Sequence, residues 1–214
     1  IMADAVIDVP PESLRHRQIV RKRAEAREIR LDPAVTLRFV EVAEPDMHHP
    51  SGDWERLAEA LGAQWGVEAV ADLRILQRLQ KVLREGGWRV TCALHAAGPG
   101  PARVLEVWPG FREAPVFGAA VDVGSTTIAC HLCDLGTGEV VASAGVMNPQ
   151  IRFGEDLMSR VSYAMMNPGG AAEMTAAVRA ALAELIGACA AEAGAGAEDV
   201  LEAVIVCNPV MHHL

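Results

Sequence analysis

The stretch Asp122-Val123-Gly124-Ser125-Thr126-Thr127 places one carboxylate, one glycine and three hydroxyls side by side. The apolar run before it, Ala119 to Val123, reads as a strand buried on both faces. An aspartate near the end of such a strand is costly unless hydrogen bonds or a hydrated metal compensate it, and a magnesium-bound water would do so. Gly124 permits a close backbone approach, while Ser125, Thr126 and Thr127 offer hydroxyl and backbone N–H donors that together cradle phosphate oxygens. The chemistry this spacing suits is the holding of a nucleotide's phosphates. An ordinary hairpin with an aspartate before a glycine has a similar string, so the pattern alone leaves both open.

Other candidate chemistry is weaker. Cys130-His131-Leu132-Cys133 falls on the strand after the loop, where positions three apart face opposite sides, so buried thiols are expected there. The five cysteines (Cys92, Cys130, Cys133, Cys189, Cys207) contain no second close pair, which excludes an iron–sulfur cluster of the usual kind within the chain. With no basic-then-apolar leader at the start, they are expected as free, buried thiols. His48-His49 and His212-His213 are adjacent pairs that do not converge on one metal ion. Glu155 and Asp156 suit a helix start, as cap and dipole partners, better than paired acid–base work.

The elements that position these residues are legible in the periodicity. Val35, Leu37 and Phe39 alternate with polar residues and predict a strand over 34–42. Ser51 or Asp53 begins a helix with Trp54, Leu57, Ala58 and Leu61 inward, ending at Gly62 or Gly66. Asp72 caps a second helix with Leu73, Leu76, Leu79 and Leu83 inward. Trp88 to Leu94 and Arg103 to Trp108 flank Gly98-Pro99-Gly100-Pro101 and predict a hairpin. After Pro115 the composition becomes rich in Ala, Gly and Val, which marks a boundary. Beyond the phosphate-type loop a Gly136-Thr137-Gly138 turn predicts a third strand. A helix over 154–166 and an Ala-rich helix over 169–194, with Met174, Val178, Leu182, Leu185 and Ile186 on one face, follow. The opening residues 1–30, with the run RHRQIVRKRAEAREIR in which basic residues outnumber acidic ones, read as a linker, either solvated or docking on an acidic partner.

Composition narrows the classes. The chain of 214 residues is 51% apolar and 22% charged, with a formal charge of −9, enough for one large or two small cores. An acidic protein is repelled by nucleic-acid backbones and anionic lipid, so neither partner is expected. Charge or glycine interrupts the apolar stretches before the roughly 20 residues of a bilayer span, and a cytoplasmic location follows.

The string GAAVDVGSTTIACHLCDLGTGEVV at 118–141 resembles the first phosphate motif of the acetate-kinase, sugar-kinase, heat-shock-protein and actin superfamily. The following NPQIRFGEDLMSRVSYA, the terminal VIVCNPVMHHL and the segments SGDWERLAEAL and LRILQRLQKVLREGGWRVTCAL resemble the ATP-dependent reductive activators of corrinoid proteins. The resemblance covers nearly the whole chain. It implies an α/β fold: a linker at 1–30, a small α/β middle domain at 31–115, and at 116–214 the first part of an actin-like, ribonuclease H-like ATPase domain. It assigns Asp122 as the catalytic residue that holds magnesium through water, and Gly124, Ser125, Thr126 and Thr127 to the phosphates of ATP. Asn148, Gln150, Gly154, Asp156 and Arg160 belong to the second motif, without individual roles.

The same resemblance implies a [2Fe-2S] domain upstream of Ile1 and the remainder of the ATPase, with its adenosine pocket, downstream of Leu214. This piece alone is therefore not expected to be active. Its ending departs from the family's Gly-Asn-Thr-Thr, with Cys207 for the glycine and Pro209-Val210 for the threonines, which removes an expected phosphate contact. The implied function is the return of cobalt(II) corrinoid to cobalt(I) in a methyltransferase system. The implied partner is a corrinoid protein or corrinoid-dependent methyltransferase, and a homodimer is expected. Two other classes remain open: a small-molecule kinase of the same superfamily, and a non-catalytic docking or dimerisation module.

Overall fold

The computed structural model describes residues 31–48 and 50–214; the expected linker over 1–30 and His49 lie outside them. β1 (Val35–Glu41) pairs antiparallel with β3 (Arg89–His95), and Val40 rather than Leu37 or Phe39 enters the core. A hairpin through 98–101 returns the chain as β4 (Ala102–Pro109), antiparallel to β3. Between β1 and β3 run α1 (Asp53–Trp65), the short β2 (Ala69–Ala71) and α2 (Leu73–Glu85). β2 pairs parallel to β4, giving the sheet order β1-β3-β4-β2. Leu57, Leu61, Ile75, Leu79, Val82 and Leu83 of the helices close on Val90, Cys92, Leu94, Val104 and Val107 of the sheet.

Local detail departs from expectation in two places, the start of α1 and the inward face of α2. Gly52, with no side-chain cap, precedes α1, whose exit is Gly66 in the left-handed region at φ 65°; Gly62 lies inside the helix. Asp72 does cap α2, accepting from the Ile75 N–H. On α2, Leu79 and Leu83 are buried, but Leu73 and Leu76 are 68% and 43% exposed. Ile75, Leu79, Val82 and Leu83, spaced at four, three and one, make a stripe that packs the β-branched residues inward and rotates Leu76 to the flank. Arg74 and Arg78 of the same helix pair with Glu106 of β4.

The second sheet is built from β5 (Phe117–Val123), β6 (Thr127–Asp134), β7 (Val140–Met147) and β8 (Val200–Cys207) in the order β7-β6-β5-β8. The first three form an antiparallel meander; β8 joins β5 in parallel. The crossover to β8 passes through a 3-10 turn (Pro149–Phe153), α3 (Leu157–Met166), α4 (Gly170–Glu192) and a second 3-10 turn, and the short α5 (Pro209–His213) follows β8. α3 starts three residues later than expected because Asp156 caps it. The two mixed sheets with their helices make the chain a mixed α/β protein.

α4 covers one face of the second sheet. Leu185, Cys189 and Ala190 are buried against Phe117, Ala119, Val121, Ile128, Cys130 and Leu132, with Val178, Leu182 and Ile186 partly buried beside them. The strand Ala119 to Val123 is thus not buried on both faces as expected. Ala120 is exposed and Asp122 half-buried on the side away from α4, which no described element covers. α4 also corrects the expectation on membrane spans: its 23 residues, at mean hydropathy 1.4, are long and apolar enough to cross a bilayer. Alanine supplies much of that hydropathy, and the larger side chains pack on the sheet.

One side chain ties the two parts. Arg112 stacks on the Trp108 ring at 4.3 Å and donates to Asp199, just before β8, at 2.8 Å. Its backbone N–H is held by Thr91 Oγ1 at 3.0 Å.

The α2 stripe gives a direct test. Leu83→Ala is expected to lower the unfolding free energy by about 2–5 kcal/mol and Leu76→Ala by less than about 1 kcal/mol, measured by urea denaturation.

Candidate functional site

The loop Gly124-Ser125-Thr126 joins β5 to β6 at the carboxyl end of β5. β8 runs parallel alongside, Val123 opposite Cys207, so the residues following β8 emerge at the same edge of the sheet. That edge is where open α/β sheets take ligands. Gly124 closes the loop by donating its N–H to Thr127 O at 3.0 Å. A Cβ on Gly124 would sit 2.7 Å from that same oxygen, so only glycine fits without moving the backbone.

The carbonyl oxygens of the loop are all taken up from behind. Asn148 Nδ2 donates to Gly124 O at 2.8 Å, and Arg160 Nη2 to Ser125 O at 2.6 Å. The Asn148 backbone N–H donates to Thr126 O at 2.7 Å. Among the described residues no acceptor takes the N–H of Ser125 or Thr126. A short turn with consecutive N–H groups left over is the arrangement that binds anions.

The bracing residues come from the second motif, and each is set by its local structure. Asn148 caps the 3-10 turn through the Gln150 N–H. Asp156 and Ser159 form a capping box at the start of α3, and these bonds hold the Asp156 carboxyl below the usual carboxylate range. The same helix start leaves no room at Gly154, where a Cβ would meet Ser159 Oγ at 2.6 Å and Arg160 N at 2.8 Å. Arg160, one turn into α3, is fully buried and also donates from Nε to Gly154 O at 2.9 Å. Burial lowers its pKa, and the Asp156 charge opposes that shift. Met211 of α5 places its sulfur 3.7 Å from both Asn148 Nδ2 and Arg160 Nη1. Gln150, 1% exposed, donates to Met174 O of α4 at 3.3 Å.

Asp122 pairs in register with Ala129 of β6 and Val206 of β8, two residues before the loop, on the face away from α4. The structure thus brings Asp122, Gly124, Ser125, Thr126 and Thr127 to one edge. It places the residues of the second motif beneath the loop rather than beside Asp122. At the chain's far end Asn208 caps α5 by accepting from the Met211 N–H, so the departure at Pro209-Val210 builds a helix turn.

The remaining candidates stay apart. Among the described residues no group of three His, Cys, Asp or Glu could hold a metal ion. Cys130 is buried and Cys133 half-buried on β6. Burial pushes the Cys92 and Cys130 thiols up to about 12. Cys207, expected to be buried, is exposed because nothing described covers β8 on its outer side.

The fold and site define a two-part α/β protein with an anion-type loop at the carboxyl edge of its second sheet. Residues 24–114 match the family model described as the RACo linker region, and residues 117–214 the one described as the RACo middle region. The chain thus carries the RACo linker and middle regions in that order. The stretches expected as a middle domain (31–115) and the start of an ATPase (116–214) match models whose descriptions are linker and middle. The junction between the models falls at the Pro115 turn that separates the two sheets. The chain is 32% identical over 113 residues, 52% of its length, to the corrinoid activation enzyme RamQ of Eubacterium limosum. It also superposes on a solved reductive activator for corrinoid, iron–sulfur protein with TM-score 0.74 and 31% identity over 88% of this chain. The chain spans 19% of the first relative and 30% of the second.

Thiol burial generates a simple check. At pH 8 a thiol reagent is expected to modify Cys207 quickly in the native protein and Cys92 and Cys130 only after unfolding. The raised thiols also stabilise the fold fully below their ordinary value of 9.0. That stabilisation is expected to fall away as pH rises from 9.0 towards about 12, and pH-dependent denaturation checks it.

Proposed function

We propose that this chain is part of an ATP-dependent reductive activator, which returns the cobalt(II) corrinoid of a methyltransferase system to cobalt(I). The observation that carries the proposal is the braced loop: three consecutive carbonyls are held inward, and the Ser125 and Thr126 N–H groups remain for an anion. Similarity to RamQ and to the solved reductive activator supports the corrinoid as the target. The strand order β7-β6-β5-β8, a meander followed by a parallel crossover strand, supports the actin-like reading of 116–214. So do the 55%, 50% and 57% exposures of Val204, Ile205 and Val206, since apolar side chains on an outer strand suit a sheet that continues.

The residues present fit the phosphates of ATP with magnesium. Gly124, Ser125, Thr126 and Thr127 supply a loop with N–H and hydroxyl donors, and Asp122 supplies a carboxylate for the hydrated metal two residues away. When bound, ATP supplies the free energy that makes an uphill electron transfer to cobalt possible. An iron–sulfur centre elsewhere in the full-length protein would supply the single electron that takes cobalt(II) to cobalt(I). The partner is a corrinoid protein or a corrinoid-dependent methyltransferase, and the setting is the cytoplasm.

Replacement of Asp122 by Ala in the full-length protein is expected to abolish ATP-dependent cobalt reduction, followed by the corrinoid's visible spectrum, in a variant that still melts cooperatively. Undiminished activation by that variant would contradict the proposal.

A further inference from the structure

Each trans peptide unit is a plane with its carbonyl and N–H on opposite sides. Anchoring one carbonyl therefore also aims the N–H of the next residue. Gly124 O, held by Asn148 Nδ2, aims the Ser125 N–H; Ser125 O, held by Arg160 Nη2, aims the Thr126 N–H. Thr126 O, held by the Asn148 backbone, fixes the third plane. The anchors are themselves immobile. Arg160 is 0% and Asn148 1% exposed, and the Met211 sulfur lies against both.

We propose that Asn148 and Arg160 are positioning residues for nucleotide: they hold the loop's peptide planes in the orientation that presents N–H groups to phosphate, without touching it themselves. This rests on the nucleotide reading above. The guanidinium is needed for its fork, because Nε and Nη2 reach Gly154 O and Ser125 O at once. A lysine ammonium is a point donor and cannot span both in that geometry. With either anchor gone, the freed carbonyl competes to turn outward to water, and the N–H turns in. The loss falls on the phosphate-dependent part of binding and spares contacts to the base and sugar.

The test compares Asn148→Ala and Arg160→Lys with the unaltered full-length protein, using titration of MgATP and of adenosine. The readout is the ratio of the adenosine Kd to the ATP Kd, which a general loss of folded protein does not change. Each variant is expected to lower that ratio by on the order of tenfold or more, through misplacement of the loop. A ratio equal to that of the unaltered protein, in a variant that still melts cooperatively, overturns the positioning role. Arg160→Lys retains the charge and serves where Asn148→Ala fails to fold. An unaltered protein that binds MgATP no better than adenosine overturns the nucleotide reading itself, and the two failures are thereby told apart.

Discussion

A buried guanidinium and a buried amide, Arg160 and Asn148, holding backbone carbonyls, are the constraint on which the rest of the second sheet depends. Taking a guanidinium out of water costs several kcal/mol, and neighbouring acceptors must offset it. Here the acceptors are Ser125 O and Gly154 O, with the Met211 sulfur beside them. Those carbonyls in turn are partly shielded from water. Removing the arginine takes a partner from each, at a cost that reaches about 1–3 kcal/mol only where water does not replace it. Loop and helix α3 therefore hold each other, and neither is free to relax alone. The capping box at Asp156 and the tight approach at Gly154 fix where α3 starts, and so where Arg160 reaches.

The division of labour between the two sheets follows from burial. The first has its own core of two helices against three long strands and a short one. Its link to the second sheet passes through Arg112, stacked on Trp108 and paired with Asp199, both partly shielded from water. Asp199 sits immediately before β8, the parallel strand that lies beside β5 and the loop.

Much of this was legible in sequence where the signal is local. The Asp122-to-Thr127 string announces itself by residue types, Asp72 by its place before an apolar stripe, and the two hairpins by Gly and Pro. Three things were not legible for a common reason: they depend on partners distant in the chain. Asn148 and Arg160 act on carbonyls 24 and 35 residues away, and no side-chain pattern encodes a backbone acceptor. Nothing beside Arg160 in the sequence, with Ser159 and Val161 as neighbours, marks it as buried. β2 is three residues long, too short for alternation to show, and exists because β4 offers it an edge. On α2, Leu79 and Leu83 do face inward, but Ile75 and Val82 complete that face in place of Leu73 and Leu76.

The central claim is that the N–H groups of Ser125 and Thr126 are aimed at phosphate by anchors behind them. Amide hydrogen exchange across 124–127 in the full-length protein, with and without MgATP, tests it most directly. The account predicts that these amides exchange fast without nucleotide and become protected when MgATP is added, with adenosine giving no such protection. Unchanged exchange at these amides under saturating MgATP would contradict it.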